Sequence, residues 1–143
     1  IDVAHASPQM VRDVLAMTTR PVVVSHGGIK SVCDQSRNID DELMAQIAAQ
    51  GGILGMGFWD SAVCDYSPDG IARAMRSAVE IMGINHVALG SDYDGGVEVL
   101  LEAHELVALT DALLRAGFSE GDIEKLMGGN QRDFFLRYLP GGS

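Results

Sequence analysis

Val22-Val23-Val24-Ser25-His26-Gly27-Gly28 sets the reading of the whole chain. Three consecutive β-branched residues specify a strand buried on both faces, and the two glycines after the histidine end it and open a loop. A buried strand that delivers a histidine to a loop is a platform for a ligand. The same pattern stands on either side of it: Ile1-Asp2-Val3-Ala4-His5 is an apolar segment ending on a histidine, and Val87-Ala88-Leu89-Gly90-Ser91-Asp92 ends on a carboxylate. Three strand ends thus carry side chains of the metal-ligating or acid-base type.

Helices are expected between these ends. Ser7-Pro8 joins an N-cap serine to a proline at the first helical position, and Met10, Val11, Val14, Leu15 and Met17 give the inward stripe of a helix ending near Thr18. Gly27 to Asn38 is a long polar connection, the kind of segment that carries function. Asp40, Asp41 and Glu42 suit the first turn of the next helix, whose inner face is Leu43, Ile47 and Ala48 and which stops at Gly51. Ile53 to Phe58 reads as a further strand, with Gly55 and Gly57 marking close backbone approach, and Trp59 to Tyr66 as a loop. Ser67-Pro68 repeats the helix start, and Ile71, Met75, Val79 and Met82 carry its stripe to Gly83. After Val87 to Leu89 and a glycine-rich loop, helices are expected over Glu102–Ala116, Ser119–Met127 and Gln131–Tyr138, with Pro140 to Ser143 a frayed tail.

Four strand-helix units in this order call for parallel strands and right-handed crossovers, the α/β class. Four units are half of a (β/α)8 TIM-type barrel, whose chemistry sits at the carboxyl ends of the strands, where His5, His26 and Asp92 fall. An open doubly wound sheet uses the same units and stays open as the alternative. No Gly-x-Gly-x-x-Gly follows a strand, so no dinucleotide site is expected.

The 143 residues fit one domain, 1–143, and 47% hydrophobic content supports a packed core. A net charge of −10 excludes a phosphate-binding surface of the nucleic-acid kind and repels anionic membranes. No apolar run approaches the roughly 20 residues of a membrane span, and no signal-like segment opens the chain, so a soluble segment is expected, with the cytoplasm favoured slightly and the compartment otherwise open. Cys33 and Cys64 are too few for a disulfide framework and form no Cys-x-x-Cys pair, and we read them as ordinary thiols. The opening on a strand without an initiator Met is that of a piece of something longer.

His5 and His26 follow apolar strands, and neighbouring parallel strands would bring such ends to a shared ion. Neutral imidazole suits zinc, and Asp92 could ligate it or exchange protons beside it. Asp94, two residues on, is read as a loop cap, and His86 and His104 as structural. Arg37 is a solvated loop residue or a forked clamp for a substrate carboxylate. Met10, Met17, Met44, Met75, Met82 and Met127 fall mostly in helical stripes and are read as core fillers, not ligands.

Ile-Asp-Val-Ala-His5-Ala-Ser, Pro-Val-Val-Val-Ser-His26, Val-Cys-Asp-Gln-Ser-Arg37-Asn, Ala-Leu-Gly-Ser-Asp92-Tyr-Asp-Gly and Gly-Gly-Asn130 together resemble the carboxyl-terminal half of the membrane (renal-type) dipeptidases, the M19 group of metallopeptidases. The match runs in order over nearly the whole chain, with the family's spacing of 21 positions from His5 to His26 and 11 from His26 to Arg37. The resemblance implies an amidohydrolase-like (β/α)8 barrel with two zinc ions per complete site, hydrolysing dipeptides. It makes His5 and His26 the ligands of one zinc, Arg37 the clamp on the substrate carboxylate and Asp92 the acid-base carboxylate.

The family's His-x-Asp pair, its metal-bridging Glu and a further substrate-contacting His belong to an amino-terminal half with no counterpart in these residues. At most one zinc is expected here, and a chain weak or inactive alone. Four units leave open sheet edges, so a homo-oligomer or a complementary amino-terminal half is expected to cover them. The alternative is a non-catalytic, self-associating or ligand-binding half-barrel derived from a dipeptidase.

Overall fold

Ile53–Met56 (β2) is enclosed on both faces and lies between Val23–Gly27 (β1) and Val87–Leu89 (β3), giving a parallel sheet of order β1-β2-β3. The computed structural model describes residues 1–139; the expected tail, Pro140 to Ser143, lies outside them. The connections are Asp41–Ala49 (α2) from β1 to β2, and Asp60–Val63 (α3) with Pro68–Met82 (α4) from β2 to β3. Pro8–Met17 (α1) precedes β1, while Leu106–Arg115 (α5), Glu120–Glu124 (α6) and Asn130–Tyr138 (α7) follow β3.

The local signals act as the residue chemistry requires. Ser7 and Ser67 accept the amides of Met10 (3.2 Å) and Gly70 (3.1 Å) at the starts of α1 and α4, each followed by its proline. Asp40 caps α2 through the amide of Leu43 (2.8 Å) and also meets Arg12 (3.2 Å), tying α1 to α2. The expected helix from Glu102 begins as a 3-10 turn, Ala103–Glu105, and only then becomes α5. Trp59 to Tyr66 contains the one-turn helix α3, too short to show a periodic stripe.

The strand expected at Ile1 to Ala4 is reduced to a single parallel bridge, Asp2 to Val23, so the described residues hold three strands where four were expected. The backbone pairs with β1, Val3 N–H donating to the Val23 carbonyl at 2.8 Å and Val23 N–H to that of Ile1 at 2.9 Å. Asp2 then folds its carboxylate onto the amide of Ala4 at 3.1 Å, an Asx turn that ends the extended segment at once. Because the sheet places β2 in the centre, β1 is not closed on both faces as its valines suggest: Val24 is buried, whereas Val23 and Ser25 are half-buried.

β1 is also irregular where it matters. Val24 pairs with Leu54 and Gly27 with Met56, so three steps on β1 span two on β2, and the register shifts across Ser25-His26. The carbonyl of Ser25 lies over the backbone of Gly55 and Gly90, where a Cβ at either position would collide with it. This is the close approach that Gly55 signalled in the sequence.

Cys33 and Cys64 are joined in a disulfide with Cα atoms 5.4 Å apart, which corrects their reading as thiols. They stand 31 residues apart in the chain, yet the loops that carry them leave neighbouring parallel strands on the same side. Asn38 reinforces the link: buried, its amide lies 2.8 Å from the Cys33 carbonyl, 3.1 Å from that of Ser61 and 3.0 Å from that of Ala62. Asn130 does the same at the other edge, 2.7 Å from the carbonyls of Ile84 and Val87.

Two consequences can be measured. Gly55→Ala should lower stability by about 1–3 kcal/mol through overpacking against Ser25, seen as an earlier urea midpoint; an unchanged midpoint would contradict the close approach. The non-reduced protein should leave a thiol reagent unreacted, and Cys33→Ser should cost about 3–4 kcal/mol on loop entropy. Two titratable thiols in the native chain would contradict the bridge.

Candidate active site

His5, His26 and Asp92 converge at one end of the sheet. His5 follows the Asx turn at Asp2, His26 stands on the irregular end of β1, and Asp92 lies just beyond β3. The Nε2 atoms of the two imidazoles are 3.0 Å apart with their rings edge to face, and an Asp92 Oδ2 lies 3.7 Å from His26 Nε2. Two nitrogen ligands of a tetrahedral zinc, each about 2.0–2.1 Å from it, stand about 3.3 Å apart, so this pair fits one shared ion. Among the described residues no three His, Cys, Asp or Glu side chains group as a metal site. The chain therefore offers two facing imidazoles with a carboxylate beside them.

Asp92 has φ 54°, a left-handed backbone for a residue other than glycine. Asp tolerates that region better than most, and such conformations concentrate at working sites. The amide of Gly95 closes a turn on the Asp92 carbonyl (2.8 Å), and the loop follows the turn. A cavity of about 600 Å³ opens there, between His26, Asp92, Tyr93, Phe58 and Gln131. Tyr93 packs edge-on against Phe58, with centroids 6.1 Å apart, and burial, with Glu102 and Glu105 nearby, pushes its phenol up from the usual value.

Arg37 stands on the far side of His5, where a second cavity of about 290 Å³ is lined by His5, Ser7 at the start of α1, Arg37 and Asn38. Its guanidinium lies over the Trp59 ring at 4.9 Å, and Trp59 in turn lies 6.1 Å from the His26 ring. The Nε and Nη2 of Arg37 are buried without a hydrogen-bond partner. Buried guanidinium donors are rarely left unmatched, so the fork is suited to an anion.

Asp2, Ser25, Trp59 and the Cys33–Cys64 bridge also belong to this neighbourhood, and sequence reasoning had given none of them a role. Asp2 Oδ1 accepts the amide of Ser25 at 3.1 Å as well as that of Ala4. Partial burial opposes its charge, but the polar contacts of Ser25 and the amide of Ala4 hold the carboxyl below the usual range. The signal for Trp59 was its place immediately after a strand; for Asp2, its place three residues before His5. His86 is structural, its Nδ1 2.8 Å from the Gly52 carbonyl, and His104 is exposed beside Glu102.

A family model described as membrane dipeptidase, peptidase family M19, matches residues 1–136. The chain belongs to that family. A dipeptidase of Aspergillus terreus is 31% identical over 141 residues, covering 91% of this chain and 34% of that protein. A dipeptidase of Clonostachys rogersoniana is 30% identical over 138 residues, covering 91% of this chain and 35% of that protein. The solved dipeptidase AC, a metallopeptidase of family M19, superposes with a TM-score of 0.87 at 26% identity over 95% of this chain and 42% of its own. The chain spans between a third and a half of the curated relatives it matches. Among the described residues of this M19 chain, no helix is long and apolar enough to cross a membrane.

The chain has one tryptophan, so its emission reports on Arg37 directly. Arg37→Ala should shift or brighten the Trp59 emission while far-ultraviolet circular dichroism is unchanged; an unaltered spectrum would contradict the stacking.

Proposed function

We propose that this chain is the carboxyl-terminal half of a (β/α)8 metallo-dipeptidase and supplies one metal-binding pair, the acid-base carboxylate and the substrate clamp. The observation that carries this reading is the 3.0 Å approach of the His5 and His26 Nε2 atoms beside Asp92 at the carboxyl end of a parallel sheet. Family membership supports it.

His5 and His26 would hold one zinc ion. When bound, zinc supplies Lewis acidity for hydrolysis. Asp92 would give a proton to the leaving amide nitrogen, a general-acid role that needs a carboxyl within reach of both metal and substrate. Arg37 pairs its two unmatched donors with the terminal carboxylate of a dipeptide, while Trp59 and the disulfide-bound loop keep the guanidinium in place. With only two imidazoles and Asp92 at hand, the remaining ligands come from a complementary amino-terminal half or a second copy. An apolar cavity of about 490 Å³ beside β1, lined by Ile1, Val23, Phe134 and Phe135, is the face such a partner would cover. The disulfide favours an oxidising compartment over the cytoplasm.

A second reading, a non-catalytic module, is favoured by the lack of a three-ligand cluster among the described residues. Zinc content and dipeptide binding separate the two. Zinc bound by the wild type should be lost in His26→Ala, and a dipeptide titrated onto the zinc-loaded chain should alter Trp59 emission in the wild type and leave Arg37→Ala unresponsive. Hydrolysis by the chain alone should be weak or undetectable; full turnover would overturn the need for a second half. Absence of zinc would leave the module.

A further inference from the structure

Among the described residues β3 has a paired strand on one side only, so its other edge is where a further strand would add. The ladder decides which groups face that edge. Gly90 N–H donates to the Met56 carbonyl at 2.9 Å, and backbone direction alternates along a strand, so Gly90 and Ala88 face β2 while Val87 and Leu89 face outward.

Both outward carbonyls are already taken by side chains. The Asn130 amide lies 2.7 Å from the Val87 carbonyl and 2.7 Å from that of Ile84, just before the strand, and the Gln131 amide lies 2.7 Å from the Leu89 carbonyl. A side-chain amide has two N–H groups, so Asn130 commits both and Gln131 one. Asn130 is buried, whereas Gln131 is half-buried on the wall of the cavity of about 600 Å³. The turn before them sets this up. α6 ends at Glu124, and Lys125–Gly129 is a wide helical turn in which Gly128 takes φ 147°, a value that favours glycine, so that α7 begins against β3. From there α7 reaches the other side of the sheet, where the Tyr138 carbonyl accepts a hydrogen bond from Arg20 ahead of β1. The opposite edge is protected by its shortness: Asp2 makes one bridge with Val23, and its Oδ1, 3.1 Å from the amides of both Ala4 and Ser25, ends the ladder.

We propose that Asn130 and Gln131 are side-chain caps that close the β3 edge against pairing with a second copy of this chain, Asn130 as the fixed anchor and Gln131 as the cap a strand would have to displace. An open edge invites sheet extension, and covering it is one of the ways folds prevent that. The expectation of open edges in need of cover is thereby narrowed. Partners meet this chain through side chains, as at the cavity beside β1, and a strand joins at β3 only after Gln131 releases Leu89. The inference does not depend on the dipeptidase reading.

The test combines a spectroscopic and an association measurement on the full chain. A correlation across the hydrogen bond, from the Gln131 side-chain nitrogen to the Leu89 carbonyl carbon, should be present in the nuclear magnetic resonance spectrum of the wild type. Light scattering over a concentration series should show no wild-type association that slows hydrogen exchange at the Leu89 amide. Gln131→Met, which keeps the bulk and loses the N–H, should abolish the correlation and tighten self-association about 10-fold, the weight of one hydrogen bond. Exchange at Leu89 should then slow as the sample is concentrated. Gln131→Asn, one methylene too short to reach the carbonyl, should do the same, with far-ultraviolet circular dichroism unchanged in both. Absence of the correlation in the wild type, wild-type association that protects Leu89, or variants that both stay as dispersed as the wild type would each overturn the proposal.

Discussion

The carbonyl of Ser25 lies over Gly55 and Gly90, and the rest of the site depends on that contact. Only residues without a Cβ let three parallel segments approach so closely, and the approach absorbs the extra residue in β1. His26 is thereby turned to His5, and Ser25 to Asp2. His26 stands at the end of a strand paired with a central strand that is wholly buried, so its imidazole is set by the sheet, while His5 follows the Asx turn that Asp2 makes beside β1.

The Arg37 side is stabilised differently. Arg37 is on a loop, and loops hold a charged side chain poorly unless something limits their freedom. Here the Cys33–Cys64 bridge, the buried amide of Asn38 and the face of Trp59 limit it together. They leave two guanidinium donors buried and unmatched, a cost that a bound anion would remove. The histidine pair and Arg37 are thus held by separate devices, joined through His5, which lines the Arg37 cavity and meets His26.

Much of this was legible in the residues. The β-branched run at Val22 to Val24, the Ser-Pro helix starts and the histidines at strand ends follow from local chemistry, and they gave the parallel α/β class and the grouping of His5, His26 and Asp92. What was not legible depended on distance in space. The disulfide needs two loops to leave adjacent strands, which no spacing of two cysteines can announce. The loss of the first strand follows from one Asp side chain turning onto Ala4, and the partial exposure of Val23 and Ser25 from the sheet order. The short helix α3 gave no periodicity to read.

The structure brings His5, His26 and Asp92 together in a chain of the M19 family, and in the reading proposed here they are part of a hydrolase site that is short of ligands. The claim that matters most is that His5 and His26 share one ion. X-ray absorption at the zinc edge of the zinc-loaded chain tests it directly: two imidazole nitrogens at about 2.0–2.1 Å are expected, falling to one in His5→Ala. A zinc shell with a single imidazole in the wild type, or one unchanged by His5→Ala, would contradict the account.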